Sequence, residues 1–325
     1  MKEIIIDKNE NEQRLDRFLK KYLDKAPEGF VQKMIRKKNV KLNGERAKPE
    51  LTIYEGDIIQ LYLSDETIEK FISVKGPMKS KLIPSIIYED DNIILINKES
   101  GVLSHGAGEG DGFEENIVDS MISYLIEKGD YVPRIEKTFT PSICNRLDRN
   151  TPGIVIGAKN YASLKDINDA IKNYHIRRFY KTIVKGEVKR DFQAEGYLTK
   201  DEDKNIVKIS LGNTEGAKKI ITEIKVLSIA NGFSLLEIEL ITGRTHQIRG
   251  HLASLGFPVI GDRKYGNKNI NQEFQNNYCL DNQWLHGYKV EFNGLDGELE
   301  YLNGKEFTSK ADDKLSIIEE ELFNK

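Results

Sequence analysis

Hydrophobic positions change period several times along the chain. Leu15, Phe18, Leu19, Tyr22 and Leu23 fall at i, i+3, i+4, i+7 and i+8, the apolar stripe of a helix whose other face is largely Lys and Arg. A second helix is predicted to open at Pro27, a residue suited to the first helical position, and to bury Phe30, Met34 and Ile35. Val40-Lys41-Leu42 and Glu45-Arg46-Ala47 flank Asn43-Gly44, a strong hairpin signal, and residues 58–63 read as a further strand. Residues 65–82, with Gly76-Pro77, have no clear period and read as a linker. Beyond Pro84 short strands alternate with helices. Ile86-Ile87-Tyr88 and Ile93-Ile94-Leu95-Ile96 flank a turn, 100–112 with five glycines reads as a mobile loop, and Ile117, Met121 and Leu125 share a helix face. Residues 153–157 form a buried strand, and Tyr161, Leu164, Ile167 and Ile171 mark another helix. Strands are expected at 179–185, 217–227 and 233–240, a helix at 245–255 capped by Gly256, and closing strands at 284–292 and 299–302. The order suits an α+β protein: a mixed, largely antiparallel sheet flanked by helices and loops over 83–325, preceded by a small α+β unit over 1–64 and the linker 65–82.

A chain of 325 residues, 38% hydrophobic, is long enough for two or three compact units. Ile4-Ile5-Ile6 is too short for a signal-peptide core, and no run approaches the roughly 18 apolar residues that span a bilayer, so a cytoplasmic protein without membrane contact is expected. Cys144 and Cys279 are far apart and match no zinc spacing, and His105, His175, His246, His251 and His286 are equally scattered; no metal is expected. The net charge of −3 names no partner, but its distribution does. Residues 14–48 carry twelve cations and four anions, or +8, which leaves −11 for the rest. A cationic block in an otherwise acidic chain favours a phosphate-binding surface over a merely solvated face. Arg14-Leu15-Asp16, Lys41-Leu42-Asn43-Gly44 and Glu55-Gly56-Asp57 resemble the RNA-binding domain shared with ribosomal small-subunit protein S-four. The resemblance implies RNA contacts from Arg14, Arg17, Lys21, Arg36, Lys37 and Lys38.

Two stretches carry candidate chemistry. In Asn145-Arg146-Leu147-Asp148-Arg149-Asn150-Thr151-Pro152-Gly153, an Asp sits between two Arg in a polar turn that enters a buried strand. Alone, such an Asp is more often a turn cap than a catalyst. The second stretch runs from Gly243-Arg244-Thr245-His246-Gln247-Ile248-Arg249 through Asp262 to Tyr265-Gly266. Ile248, Leu252 and Leu255 face the core and Arg249 emerges at the edge of that face, where it needs a carboxylate; Asp148 is the obvious bidentate partner. His246 and His251 read as structural hydrogen-bonding residues, and Cys144, beside apolar Ile143, as a buried strand thiol.

Taken together these stretches resemble the RluA-type pseudouridine synthases, which isomerise uridine in RNA, and within them the RluC-like branch that acts on large-subunit ribosomal RNA. The family's His-Arg-Leu-Asp, two residues, Thr-Ser-Gly segment is matched from Asn145 to Gly153, its Gly-Arg-Thr-His-Gln-Ile-Arg segment is matched unchanged from Gly243, and its basic-spacer-Tyr element is Arg178-Phe179-Tyr180. The resemblance implies a catalytic Asp148 held by Arg249 and a base stacked on Tyr180; Arg146 either fills the place of a flipped nucleotide or serves a phosphate contact or an ion pair within the domain. It also implies RNA contacts from Arg149, Arg244, His246 and Gln247, no cofactor, and a monomer whose partner is RNA. Asn145 and Pro152 depart from the usual His and Ser, and Asn97-Lys98-Glu99 replaces the commoner Asp-Lys-Pro. The rival readings are a non-catalytic RNA-binding or ribosome-assembly factor, a base-removing glycosylase and a synthase acting on transfer RNA.

Overall fold

A computed structural model of the protein describes residues 1–72, 80–106, 114–133, 138–201 and 205–323. The amino-terminal part contains β1 (Lys2–Ile5), β2 (Gln13–Arg14), α1 (Leu15–Tyr22), α2 (Phe30–Arg36), β3 (Val40–Leu42), β4 (Glu45–Arg46), β5 (Thr52–Ile53), β6 (Ile58–Leu61) and α3 (Asp65–Phe71). Strands β1, β6, β3 and β4 form one sheet in that order, and β2 pairs β5. The helix stripe read from the sequence packs on this sheet: Leu15, Phe18, Leu19, Met34, Ile35, Ile59 and Leu61 share one core. Asn43 and Gly44 both take positive φ, 52° and 83°, as a two-residue hairpin turn requires.

Two expectations here are corrected. Helix α2 starts at Phe30, because residues before it turn back, the Phe30 N–H donating to the Pro27 carbonyl at 2.9 Å. The stretch read as a linker opens with α3, capped by the Ser64 hydroxyl, whose Ile68 is buried in the amino-terminal core beside Phe71 and Ile72. Gly76-Pro77 lie outside the described residues.

The remainder runs β7 (Ser85–Glu89), β8 (Ile93–Lys98), α4 (Ile117–Lys128), β9 (Ser142–Ile143), β10 (Gly153–Ala158), α5 (Tyr161–Lys172), β11 (Ile176–Lys185), β12 (Phe192–Asp201), β13 (Ile206–Ser210), β14 (Lys218–Ala230), β15 (Phe233–Leu240), α6 (Gln247–Ser254), α7 (Lys268–Tyr278), β16 (Leu285–Phe292), β17 (Glu306–Thr308) and α8 (Asp313–Phe323). One sheet carries the order β13-β12-β14-β15-β11-β16-β10-β8-β7, with β17 on β16 and β9 on β10. Its pairings are antiparallel except β10 with β16, which meet at Gly153 and Gly287. A Cβ on Gly153, whose φ is +133°, would stand 2.2 Å from the Gly287 carbonyl oxygen, so the two halves of the sheet join through an approach that glycine alone permits. Residues 299–302 form a 3-10 turn, not a strand; β17 takes the place beside β16. Residues 107–112 of the glycine-rich loop lie outside the described residues.

Main-chain amides at both helix starts meet side-chain acceptors: Asn116 accepts from the Asp119 N–H at the head of α4, Asn160 from the Ser163 N–H at the head of α5. Helix α4, β8, β10, β11, β15 and α6 close one core around Met121, Val155, Leu236 and Leu252. The amino-terminal unit sits against α5. Tyr161 N–H donates to Asn9 at 3.2 Å, Lys165 pairs with Glu12 at 2.9 Å, and the Lys21 ammonium lies 5.8 Å from the Tyr161 ring centre.

Candidate active site

The turn between β9 and β10 carries Asp148, and four side chains fix it. Asn145 behaves as an extra peptide group: its amide donates to the Ile154 carbonyl at 3.1 Å and its oxygen accepts from the Ile156 N–H at 2.7 Å. Ser104 brackets Leu147, donating to its carbonyl at 2.8 Å and accepting from its N–H at 3.1 Å. Gln283 donates to Thr151 at 3.0 Å. Lys98, fully buried, donates to the carbonyls of Glu99, Val102 and Arg149 at 2.9, 2.8 and 2.7 Å. Three acceptors call for all three hydrogens of an ammonium, while burial pulls its pKa down to about 7 against the attraction of Asp148. Lys98 thus ties the 99–102 segment to the turn that carries Asp148, a role that a lysine on a strand gives no sequence signal for.

Helix α6 brings Arg249 to the same point. Its Nη1 donates to Asp148 at 2.8 Å, but the two-nitrogen grip goes elsewhere: Nε and Nη2 reach Asp262 at 2.7 and 2.9 Å. The expected bidentate Asp148–Arg249 pair is therefore corrected to a single bond, because a second carboxylate occupies the fork. Burial opposes the charge on Arg249, yet Asp262 and then Asp148 outweigh it and hold the guanidinium charged; Asp262, whose burial raises its pKa, is held down by Arg249 and by the Tyr265 and Lys264 N–H groups. Asp262 is wholly enclosed, whereas the Asp148 side chain keeps 23% of its surface open, so only Asp148 can meet a substrate.

His246 enters α6 at φ 51° and turns Nε2 toward Asp148 at 4.0 Å. Its Nδ1 lies 2.9 Å from the Tyr265 hydroxyl, whose oxygen already accepts from the Val207 N–H at 2.8 Å. That hydroxyl is free to donate to Nδ1, which puts the imidazole hydrogen on Nε2, facing Asp148. Burial, then Arg249 and Lys264 against Asp148, keep this histidine neutral at pH 7. Tyr180 stands at the floor of the cleft, buried, its ring 3.1 Å from where a Gly287 side chain would begin. Burial raises its pKa, with Arg178 opposing and Asp148 adding.

The cleft above these groups holds about 1040 Å³ and is lined by nine Lys and Arg side chains against one Asp. Arg146, Arg149 and Arg244 are exposed on its walls, and Arg149 pairs with Glu114. Gln247 is a correction: it is buried, bonded to Thr242, Thr222, the Ile221 carbonyl and the Arg244 N–H, and does not reach the cleft, because its amide is spent joining α6 to β14. In the amino-terminal unit Arg17, Arg36, Lys37 and Lys38 are exposed cations, whereas Arg14 grips Asp16 through Nε and Nη2 at 3.1 and 2.9 Å and Lys21 faces Tyr161. Cys144 is corrected: it lies one residue past β9, half-buried at the edge of the cleft, and burial pushes its thiol up to about 12, which leaves it unreactive. Among the described residues no three His, Cys, Asp or Glu are grouped to hold a metal, and no helix is long and apolar enough to cross a membrane.

A fixed carboxylate with a clamped arginine, at the bottom of a cationic cleft, has the features of an active site open to an anionic polymer. The sequence profile of the RNA pseudouridylate synthases matches residues 92–254. A Mycoplasma capricolum subsp. capricolum protein named an uncharacterized RNA pseudouridine synthase is 30% identical over 316 residues, 96% of this chain and 98% of its own. The Rickettsia bellii ribosomal large subunit pseudouridine synthase C is 33% identical over 268 residues, 79% of this chain and 84% of its own. Human RNA Pseudouridylate Synthase Domain Containing 4 shares the fold, with a TM-score of 0.55 at 19% identity over 71% of this chain and 90% of that one. The chain belongs to the RNA pseudouridylate synthase family, and it is an isomerase of uridine in RNA.

Proposed function

We propose that the protein converts uridine to pseudouridine in large-subunit ribosomal RNA, with Asp148 as the catalytic carboxylate. The observation that carries the mechanism is the Arg249 N–H on Asp148 at 2.8 Å beneath an open cleft. The reaction breaks the glycosidic carbon–nitrogen bond, turns the uracil and joins its fifth carbon to the sugar; a proton leaves that carbon and one is gained at the freed nitrogen. Asp148 serves as nucleophile or base at the electron-poor centre this creates. Arg249 aims it, and Tyr180 offers a face for the extracted base. Taking the base out of its stack costs a few kcal/mol, and the exposed Arg146 guanidinium is the planar cation suited to the place left behind. The ribosomal target follows the names of relatives such as the Rickettsia bellii protein.

The amino-terminal unit acts as an S-four-type RNA grip. Arg36, Lys33, Arg46 and Lys48 line one shallow groove that contains no acidic side chain, a surface for phosphates. On this reading the enzyme works as a monomer in the cytoplasm. Tritium release from a large-subunit RNA transcript labelled at the fifth carbon of uridine tests the proposal: label is freed while the base stays attached. Free uracil marks a glycosylase, and retained label marks a binding factor; either result sinks the reading. Pseudouridine maps of ribosomal and transfer RNA from cells with and without the gene then name the target.

A further inference from the structure

Neighbouring arginines on β11 differ sharply. Arg177 points outward and pairs with Glu239 and Glu291. Arg178 points inward, is 8% exposed, and forms no ion pair among the described residues. Its Nε is buried without a hydrogen-bond partner among those residues, and Nη2 touches only the Leu240 carbonyl, at 3.5 Å. A guanidinium largely withdrawn from water, with one nitrogen sealed off and unpaired, is costly, and an anion that reaches its cleft-facing edge would offset that cost.

The surroundings admit such an anion. Arg178 lines the catalytic cleft and shares a face of β11 with Tyr180, two positions on. Gly243 backs the guanidinium: a Cβ there would lie 3.1 Å from Nη1, so glycine lets the loop before α6 press against the cation without displacing it. A neutral uracil carbonyl would accept a hydrogen bond yet leave the charge uncompensated. A phosphodiester does both, and RNA brings one with each nucleotide.

We propose that Arg178 is a phosphate-binding residue of the cleft, receiving a phosphodiester oxygen of the RNA beside the nucleotide that stacks on Tyr180. The assignment rests on the RNA-modifying reading of the cleft but not on its chemistry. The test is filter binding of the full chain to an unmodified large-subunit RNA transcript across a salt series. Arg178→Met weakens binding roughly 10-fold at low salt, the range of one charged hydrogen bond, and flattens the slope of log affinity against log salt by about 0.7 to 0.9, the release of one phosphate's counterion. Arg178→Lys keeps the charge and the wild-type slope. Melting curves verify that each variant is folded; if Arg178→Met is not, Arg178→Gln, which retains a polar donor on the strand, gives the same reading. A folded neutral variant with the wild-type slope overturns the proposal, since a base contact or a purely structural role leaves counterion release alone. Wild-type protein that binds with the expected slope and releases no tritium sinks the reaction while the Arg178 result stands.

Discussion

Asp262 takes both Nε and Nη2 of Arg249, at 2.7 and 2.9 Å, and leaves only Nη1 for Asp148. On the proposed chemistry, the enclosed carboxylate is the mount and the open one the tool. Asp262→Asn keeps the shape but removes the buried counter-charge, and breaking a buried pair costs about 3 to 5 kcal/mol. A freed guanidinium can then swing onto Asp148 with both nitrogens. The expected result is a lower melting temperature together with a loss of turnover of roughly 100-fold, the cost of misplacing a catalytic group. Turnover at the wild-type rate in a folded Asp262→Asn protein refutes the mount.

Asp148→Ala should behave in the opposite way. The side chain is partly open and bonded once, so stability changes little, while tritium release is abolished. Affinity for RNA stays within a few-fold, because phosphate contacts supply most of it. Residual isomerisation near the wild-type rate removes Asp148 from the chemistry.

How much of this is legible in the sequence depends on distance. The Asp148 and Arg249 stretches announce themselves as motifs, and Leu15, Phe18 and Leu19 as a helix stripe. Asp262 stands in the same motif, but its grip depends on a backbone turn at Gly261, where a Cβ would meet the Asn282 carbonyl oxygen at 2.1 Å; nothing local predicts that approach. Lys98 collects carbonyls from two separate segments, and Gln247 escapes a correct reading because a polar residue in a polar motif carries no sign of its burial. Arg14 counts as a free cation only while Asp16, two residues on, is ignored. Polar or short elements give little signal: α7 is rich in Asn and Gln, and β13, though apolar at Ile206, Val207 and Ile209, is only five residues long. Helix α8 has a readable period in Leu315, Ile318 and Leu322, and the first two are buried against Trp284.

The glycine junction beneath the site gives a third prediction. Gly153→Ala forces a Cβ to 2.2 Å from the Gly287 oxygen at φ +133°, whereas Gly44→Ala, at φ +83°, meets nothing within 4 Å. The first should cost about 3 kcal/mol or more through overpacking and strain, the second only the roughly 1 kcal/mol of a left-handed non-glycine residue. Urea denaturation of both variants decides; equal losses show that the junction carries no special constraint.

His286 supplies a pH dependence. It is 2% exposed, its Nε2 sits 2.7 Å from the Ser309 hydroxyl, and burial followed by the nearby Lys181 charge brings its pKa down to about 4. Between pH 6.5 and 4 the unfolded chain binds a proton that the folded chain refuses, so stability present above pH 6.5 is lost on acidification, by about 3 kcal/mol at roughly 1.4 kcal/mol per unit. Carboxylates titrate over part of that range too, and comparison with His286→Gln cancels them: the wild type should lose more stability than the variant between pH 7 and 4.5. Parallel losses exclude the histidine.

The boundary of the amino-terminal unit sets the last prediction. Helix α3 buries Ile68, with Phe71 and Ile72 beside it, in the amino-terminal core, so truncation after residue 64 would leave that apolar face uncovered on the remaining protein. Truncation after Ile72 removes the unit whole. It also strips the polar contacts made on α5 by Asn9, Glu12 and Lys21, which are exposed or half-exposed ion pairs and hydrogen bonds of modest worth. Because the cores around Met121 and Trp284 draw on no residue of the removed unit, a protein of residues 73–325 should melt within a few degrees of the full chain. The cut removes all twelve cations of the 14–48 block, of which Arg17, Arg36, Lys37 and Lys38 are exposed, so RNA affinity should drop and its salt slope flatten by about one unit for each phosphate that the protein no longer neutralises. Tritium release at saturating RNA should persist, since Asp148, Arg249 and Tyr180 lie in the retained part. An unchanged salt slope would show that the basic block never touches RNA and that the catalytic cleft alone supplies the grip.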